Sequence, residues 1–298
     1  MICFPAGGRR TDVTTGKDHP YFSGVQDLPE AQGDPEKPIG IFDSGVGGLS
    51  VAREIRTLLP GEDLLYFADS RYCQYGEKTP DFIRERSFAI TRFFLARGCK
   101  MIVVACNTAS EAALSALRDA FPAVPFVGVE PAVKQAALYT KKQRVGVLAT
   151  ALTLAGNRFS ALVEKFASGL TVVTQPSPGL VEAVEEGRLE AEETEALLKA
   201  YLQPLLAHDV DVIVLGCTHY PFLRPLVEKI AGPGIMILDT GKPVARQVVR
   251  VLEVRGLLSL RQEGGKESFF TTGNPEKVAP VLARLWSRPV PEVIPVLC

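Results

Sequence analysis

The chain has 298 residues, 33 Lys+Arg against 34 Asp+Glu, a formal net charge of −1 and an apolar fraction of 46%. That balance gives no footprint for nucleic acid or an anionic membrane, both of which are met by clustered positive charge, and no run approaches the roughly 18 to 20 apolar residues that span a bilayer. The region after Met1 has no long apolar segment leading to a small-residue cleavage site, so a cytoplasmic protein is expected, and the length suits two domains of about 100 to 200 residues.

Residues 1–38 hold ten Gly or Pro and no sustained apolar period, which predicts a flexible N-terminal extension with no recognised catalytic group. From 39 onward short β-rich runs alternate with segments of helical period: IGIF, LSVAREIRTLL, DLLYFAD, DFIRERSFAITRFFLARG, MIVVAC, EAALSALRDAF and PFVGVE. Fully apolar strands separated by helices predict a parallel sheet covered on both faces. After a basic break at 141–144 the pattern resumes with the strands RVGVLAT, TVVTQ, DVIVLG and IMILD, interleaved with NRFSALVEKFA, the acidic LEAEETEALLKAYLQPLLA and a helix containing LRPLVEKI. Beyond Asp239 two helical segments, VARQVVRVLEV and NPEKVAPVLARLW, flank only FFTTG as a short strand, too little for a third domain. The predicted fold is therefore α/β: two related parallel-sheet domains facing across a central cleft. The first comprises 39–130 and 240–298, the second 131–239.

MIVVACNTAS around Cys106 and VIVLGCTHYP around Cys217 each run a hydrophobic strand into a small residue, a cysteine and polar residues. Open parallel sheets place ligands at such strand ends, so facing domains bring both cysteines to one cleft. A thiolate is nucleophilic and basic, and a helix N-terminus or nearby donors enlarge the small thiolate fraction present at neutral pH. After Cys106, any of Asn107, Thr108 and Ser110 can cap the following helix; beside Cys217, His219 can exchange a proton near neutral pH. Cys99 is read as packing, Cys73 as near a pocket without being catalytic, and Cys3 and Cys298 are terminal. Six cysteines with no CxxC pair and no Cys/His array give neither a disulfide scaffold nor a metal motif.

FDSGVGGLS follows the first strand and opens a helix, and its glycines suit backbone N–H contact with a carboxylate or phosphate. It is neither a Walker loop nor the GxGxxG fingerprint. Asp43 lies at the ligand-facing edge, able to orient an ammonium, to assist Cys106 or to cap a helix. Tyr75 and Gly76 sit in a polar rim loop near Asp69. Ala149, Thr150 and Thr153 offer a docking point for a ligand carboxylate or a helix cap, with equal claims from sequence. Two cysteines around one carbon suggest a two-base reaction that inverts a stereocentre; dithiol redox chemistry and a single Cys-His nucleophile are the alternatives.

In order along the chain, IGIFDSGVGGLSV, YFADS, YGEK, VACNTAS, VGVEPAVK, VGVLAT, DVIVLGCTHYPFL, LD and FFTTGNP resemble the glutamate racemases of the aspartate/glutamate racemase group over roughly 39–286. The resemblance implies cofactor-independent interconversion of L- and D-glutamate, supplying D-glutamate for peptidoglycan, with no metal and with glutamate and a second copy as partners. It implies that Cys106 deprotonates D-glutamate with Asp43 as its acidic partner, and that Cys217 deprotonates L-glutamate with His219 beside it. Ser44, Tyr75, Gly76, Asn107, Thr108, Thr150 and Thr218 resemble substrate contacts. GCTH favours this branch over the aspartate branch, where an acidic residue usually follows the corresponding Cys-Thr. Aspartate or hydantoin racemisation, or amino-acid binding without catalysis, are the other readings. Two positions depart from the pattern. Gln74 replaces the usual proline, implying a looser loop, and Ala149 replaces a glycine, implying a crowded cleft; altered affinity or rate is expected from both.

Overall fold

A computed structural model describes residues 33–297. In chain order the elements are β1 (Ile39–Asp43), α1 (Leu49–Leu58), β2 (Leu64–Ala68), α2 (Pro80–Leu95), β3 (Met101–Val104), α3 (Asn107–Ala120), β4 (Phe126–Gly128), α4 (Val133–Tyr139), β5 (Arg144–Ala149), α5 (Ala151–Leu154) and α6 (Asn157–Phe166). They continue with β6 (Thr171–Pro176), α7 (Leu180–Glu185), α8 (Glu192–Ala207), β7 (Val212–Leu215), α9 (Arg224–Ala231), β8 (Met236–Leu238), α10 (Gly241–Arg255), β9 (Glu267–Thr271), α11 (Pro275–Trp286) and β10 (Val293–Pro295).

The strands form two parallel sheets, one in the order β10-β9-β2-β1-β3-β4 and one in the order β6-β5-β7-β8. Pleating explains why their strands read as unbroken apolar runs. Ile39, Ile41, Met101 and Val103 face the side covered by α1, α10 and α11, whereas Phe42, Ile102 and Val104 face α2 and α3. In the second sheet Val145, Val147, Val212 and Val214 join one core, while Leu148, Ile213 and Leu215 join a cluster that continues into the first sheet. The two units are thereby packed on shared apolar side chains.

Local signals start and stop the helices where the chemistry directs. Thr79 accepts a hydrogen bond from the Phe82 N–H ahead of Pro80 in the first turn of α2. Glu192, Glu193 and Glu195 occupy the first turn of α8, the end where negative charge is favoured. Short elements escaped the sequence: α4, α7 and the edge strand β10 are three to seven residues long. Their partners are supplied by tertiary packing, which a local period does not reveal. The described part of the lead-in, 33–38, is tied down: Glu36 accepts from Ser259 and pairs with Arg261, and the Pro35 carbonyl accepts from Lys100. Cys3, Cys298 and the rest of the lead-in lie outside the described residues. No helix among the described residues is long and apolar enough to cross a membrane.

Each sheet has the same switch point. β1 lies between β2 and β3, and β5 lies between β6 and β7, so the chain runs outward in opposite directions from β1 and from β5. Such points leave a crevice beyond the strand carboxyl ends. Asp43 ends β1 and Cys106 follows β3; Thr150 follows β5 and Cys217 follows β7.

Candidate active site

The two crevices meet in one narrow cavity, with only about 10 Å³ of free space between its walls. Cys106 and Cys217 both line it, one contributed from each sheet. Ser44, Tyr75, Gly76, Asn107 and Thr108 complete the wall on the first-sheet side, and Thr150, Thr218 and His219 that on the second. Gln74, Val181 and Gly216 were not singled out as contacts and also line it. Asp43 stands one layer behind, with no exposure.

Cys106 is itself the N-cap of α3: its sulfur accepts from the Ala109 N–H at 3.5 Å, a role the sequence offered to the polar residues after it. Its thiol also lies 3.9 Å from Ser44 Oγ. Burial, and then the Asp43 carboxylate, push this thiol well above its ordinary pKa against the pull of the Ala109 N–H. Asp43 is fixed by donors on both oxygens: Ser44 N–H at 2.7 Å on Oδ1, and Gly48 N–H at 2.6 Å and Thr218 Oγ1 at 3.3 Å on Oδ2. Burial raises its pKa, with nearby His219 pulling the other way.

On the other side Cys217 Sγ lies 3.7 Å from His219 Nδ1, and His219 Nε2 donates to Glu185 Oε1 at 2.7 Å. Burial lowers the imidazole's proton affinity, but hydrogen bonds with Cys217, Cys73 and Glu185 outweigh it and hold the pKa well above the ordinary value. The stabilisation from this proton is complete below the unfolded pKa of about 6.5, and it is lost as pH rises through the higher folded value. We expect His219→Gln to cost most stability at acidic pH, with the gap to wild type closing as pH rises, measured as urea midpoints across a pH series. A constant gap would contradict the assignment.

Glu185, at the end of α7, was missed. It lies 34 residues before His219 in an otherwise unremarked acidic stretch, and nothing in its neighbours signals the pairing. It also corrects the reading of the glycine loop. The Val46 N–H donates to Glu185 Oε1 at 2.6 Å and the Gly48 N–H to Asp43, so the loop does hold carboxylates, but they are the protein's own. A Cβ at Gly45 would come within 2.0 Å of Glu185 Oε1, and one at Gly47 within 2.2 Å of His219 Nδ1. These glycines make room for the imidazole–carboxylate pair.

Other donors remain for a ligand. The Asn107 amide is buried with neither its nitrogen nor its oxygen hydrogen-bonded among the described residues, although it lines the cavity; such a group costs stability unless something binds it. Of the two roles offered to it Thr150 takes the cap, its Oγ1 accepting from the Thr153 N–H at 3.3 Å, and the same hydroxyl lies 3.1 Å from Thr108 Oγ1 beside the cavity. Tyr75 is anchored from behind, its hydroxyl donating to Asp69, which also receives two bonds from Arg86. Gln74 Nε2 donates to Glu182 Oε1 at 2.6 Å, fastening the rim loop to α7 where a looser loop was expected. The Ala149 methyl is fully buried against Gly216 in the core of the second sheet and does not line the cavity, so the expected crowding of the cleft is absent.

The chain matches the Asp/Glu/Hydantoin racemase family over residues 39–248. The glutamate racemase of Stutzerimonas stutzeri (strain A1501) is 49% identical over 249 residues, 84% of this chain and 94% of that protein. Among solved structures, glutamate racemase isoform RacE1 from Bacillus anthracis is similar with a TM-score of 0.78 at 30% identity, covering 89% of this chain and 98% of that one. The Francisella tularensis glutamate racemase in complex with D-glutamate gives 0.78 at 27% identity, covering 88% and 98%. The chain belongs to the Asp/Glu/Hydantoin racemase family, in the branch whose members are named glutamate racemase.

Proposed function

We propose that this protein interconverts L- and D-glutamate without a cofactor by a two-base reaction, supplying D-glutamate for peptidoglycan in the cytoplasm. The observation that carries the reading is the pair of cysteines, one from each sheet, lining one small cavity. The lobes that close on the substrate are 39–130 with 240–298, and 131–239; the working form is a homodimer, an expectation carried from the family.

In the L-to-D direction the Cys217 thiolate removes the α-proton and becomes a thiol, and the Cys106 thiol delivers its proton to the opposite face, leaving a thiolate. The D-to-L direction reverses both transfers, and proton exchange with solvent resets the pair. Asp43 attends Cys106 and His219 attends Cys217, each positioned by the contacts above. Ser44, Tyr75, Gly76, Asn107, Thr108, Thr150 and Thr218 hold the ammonium and carboxylates. An α-proton is very weakly acidic, so fixed donors and exclusion of water must stabilise the developing charge.

Racemisation of L-glutamate, L-aspartate and a 5-substituted hydantoin, followed by chiral chromatography on metal-free, reduced enzyme, tests the reading. Glutamate is expected to turn over at least about tenfold faster than aspartate, since a single missing methylene is worth ~10- to 200-fold. Preference for aspartate or the hydantoin would reassign the substrate, and binding of glutamate without inversion would leave an amino-acid-binding protein.

A further inference from the structure

Cys73, Glu185 and His219 each present a ligand atom, and the three atoms lie within 4.8 Å of one another. They come from three places: the loop after the turn Ser70–Tyr72, the end of α7, and the segment following β7. No sequence motif announces them, because 112 and 34 residues separate the pairs along the chain. A thiol, an imidazole and a carboxylate with a fourth position open is a donor set for a borderline-soft divalent cation.

We propose that these three side chains form a Zn²⁺ site whose occupation turns the His219 imidazole into a metal ligand, so that it no longer carries the proton it shares with Glu185 beside Cys217, and shuts the enzyme down. On binding, the Cys73 thiol and the imidazole give up protons to solvent, and the metal replaces the His219–Glu185 hydrogen bond. Because Cys73 belongs to the first-sheet unit and the other two to the second, the ion also ties the two units to each other. Zinc binding does not depend on glutamate being the substrate; the loss of turnover rests on the proposed function, which the metal-free assay above tests separately.

The full chain, reduced and stripped with a chelator that is then removed, is titrated with Zn²⁺ by calorimetry, alongside Cys73→Ala and the closer-shaped Cys73→Ser. One ion per chain is expected in the wild type, with affinity at least about tenfold weaker in both variants, since even lesser changes around metal ligands cost ~10- to 100-fold. Co²⁺ as a second probe is expected to show a thiolate-to-metal charge-transfer band in the wild type that both variants lack. Inhibition by Zn²⁺ is expected to be reversed by chelator and to weaken in parallel with binding. Equal affinity in folded variants would place the metal on the catalytic thiols or the surface and overturn the site, as would no stoichiometric binding in the wild type. Full turnover at saturating Zn²⁺ would overturn the shutdown.

Discussion

Cys106→Ala and Cys217→Ala are each expected to lower racemisation in both directions by about 10²- to 10⁴-fold, the range set by losing a positioned acid or base. Each inversion uses both groups, one to take a proton and one to give it, so neither deletion is spared by the direction of assay. Combining the deletions is expected to add little, because the two act as a unit. Circular dichroism controls for folding: both side chains are small, and alanine fits at either strand end. Either variant keeping wild-type turnover would sink the two-base account and leave a single Cys-His site or a binding protein.

Arg86→Met is expected to destabilise the fold by about 3–5 kcal/mol, because it strands a buried carboxylate. Asp69 has no exposure, and both Arg86 bonds to it are 2.9 Å long. Tyr75 and Thr272 also donate to it, but neither carries charge. The melting temperature is expected to fall by on the order of 10 °C for a chain of this size. Arg86→Lys keeps the charge and loses the two-pronged geometry, so an intermediate loss is expected. The surviving folded fraction should show a raised KM for glutamate, because Tyr75 sits on Asp69 and lines the cavity. A drop below about 1 kcal/mol, the scale of an exposed pair, would show that the ion pair is dispensable.

The parts of this molecule legible in its sequence are those carried by local pattern. Apolar runs such as MIVV and VIVL mark β3 and β7, and the Cys-Asn-Thr and Cys-Thr-His tails mark where those strands end. Two sheets and a shared cleft follow, because a repeated strand-to-cysteine context is a statement about topology as well as chemistry. The support behind the cysteines was not legible. Glu185 reaches His219 from a six-residue helix, and Asp69 meets Arg86 across 17 residues, pairings that depend on tertiary approach alone. The glycine loop was readable as a cradle for negative charge, but not for whose charge. Only folding brings Asp43 and Glu185 to its N–H groups. At Gln74 the side chain replaces a ring's rigidity with a bond to Glu182 that no neighbouring residue foretells.

The central claim is that two cysteines work on opposite faces of one α-carbon. Its most direct test is incubation of reduced enzyme in D₂O with L-glutamate and, separately, D-glutamate, with no added pyridoxal phosphate, reading α-deuterium and chirality at early times. The account predicts that product of inverted configuration carries deuterium while recovered substrate stays largely unlabelled, from either enantiomer. Deuterium washing into substrate as fast as into product, or absence of exchange by the folded enzyme, would contradict it.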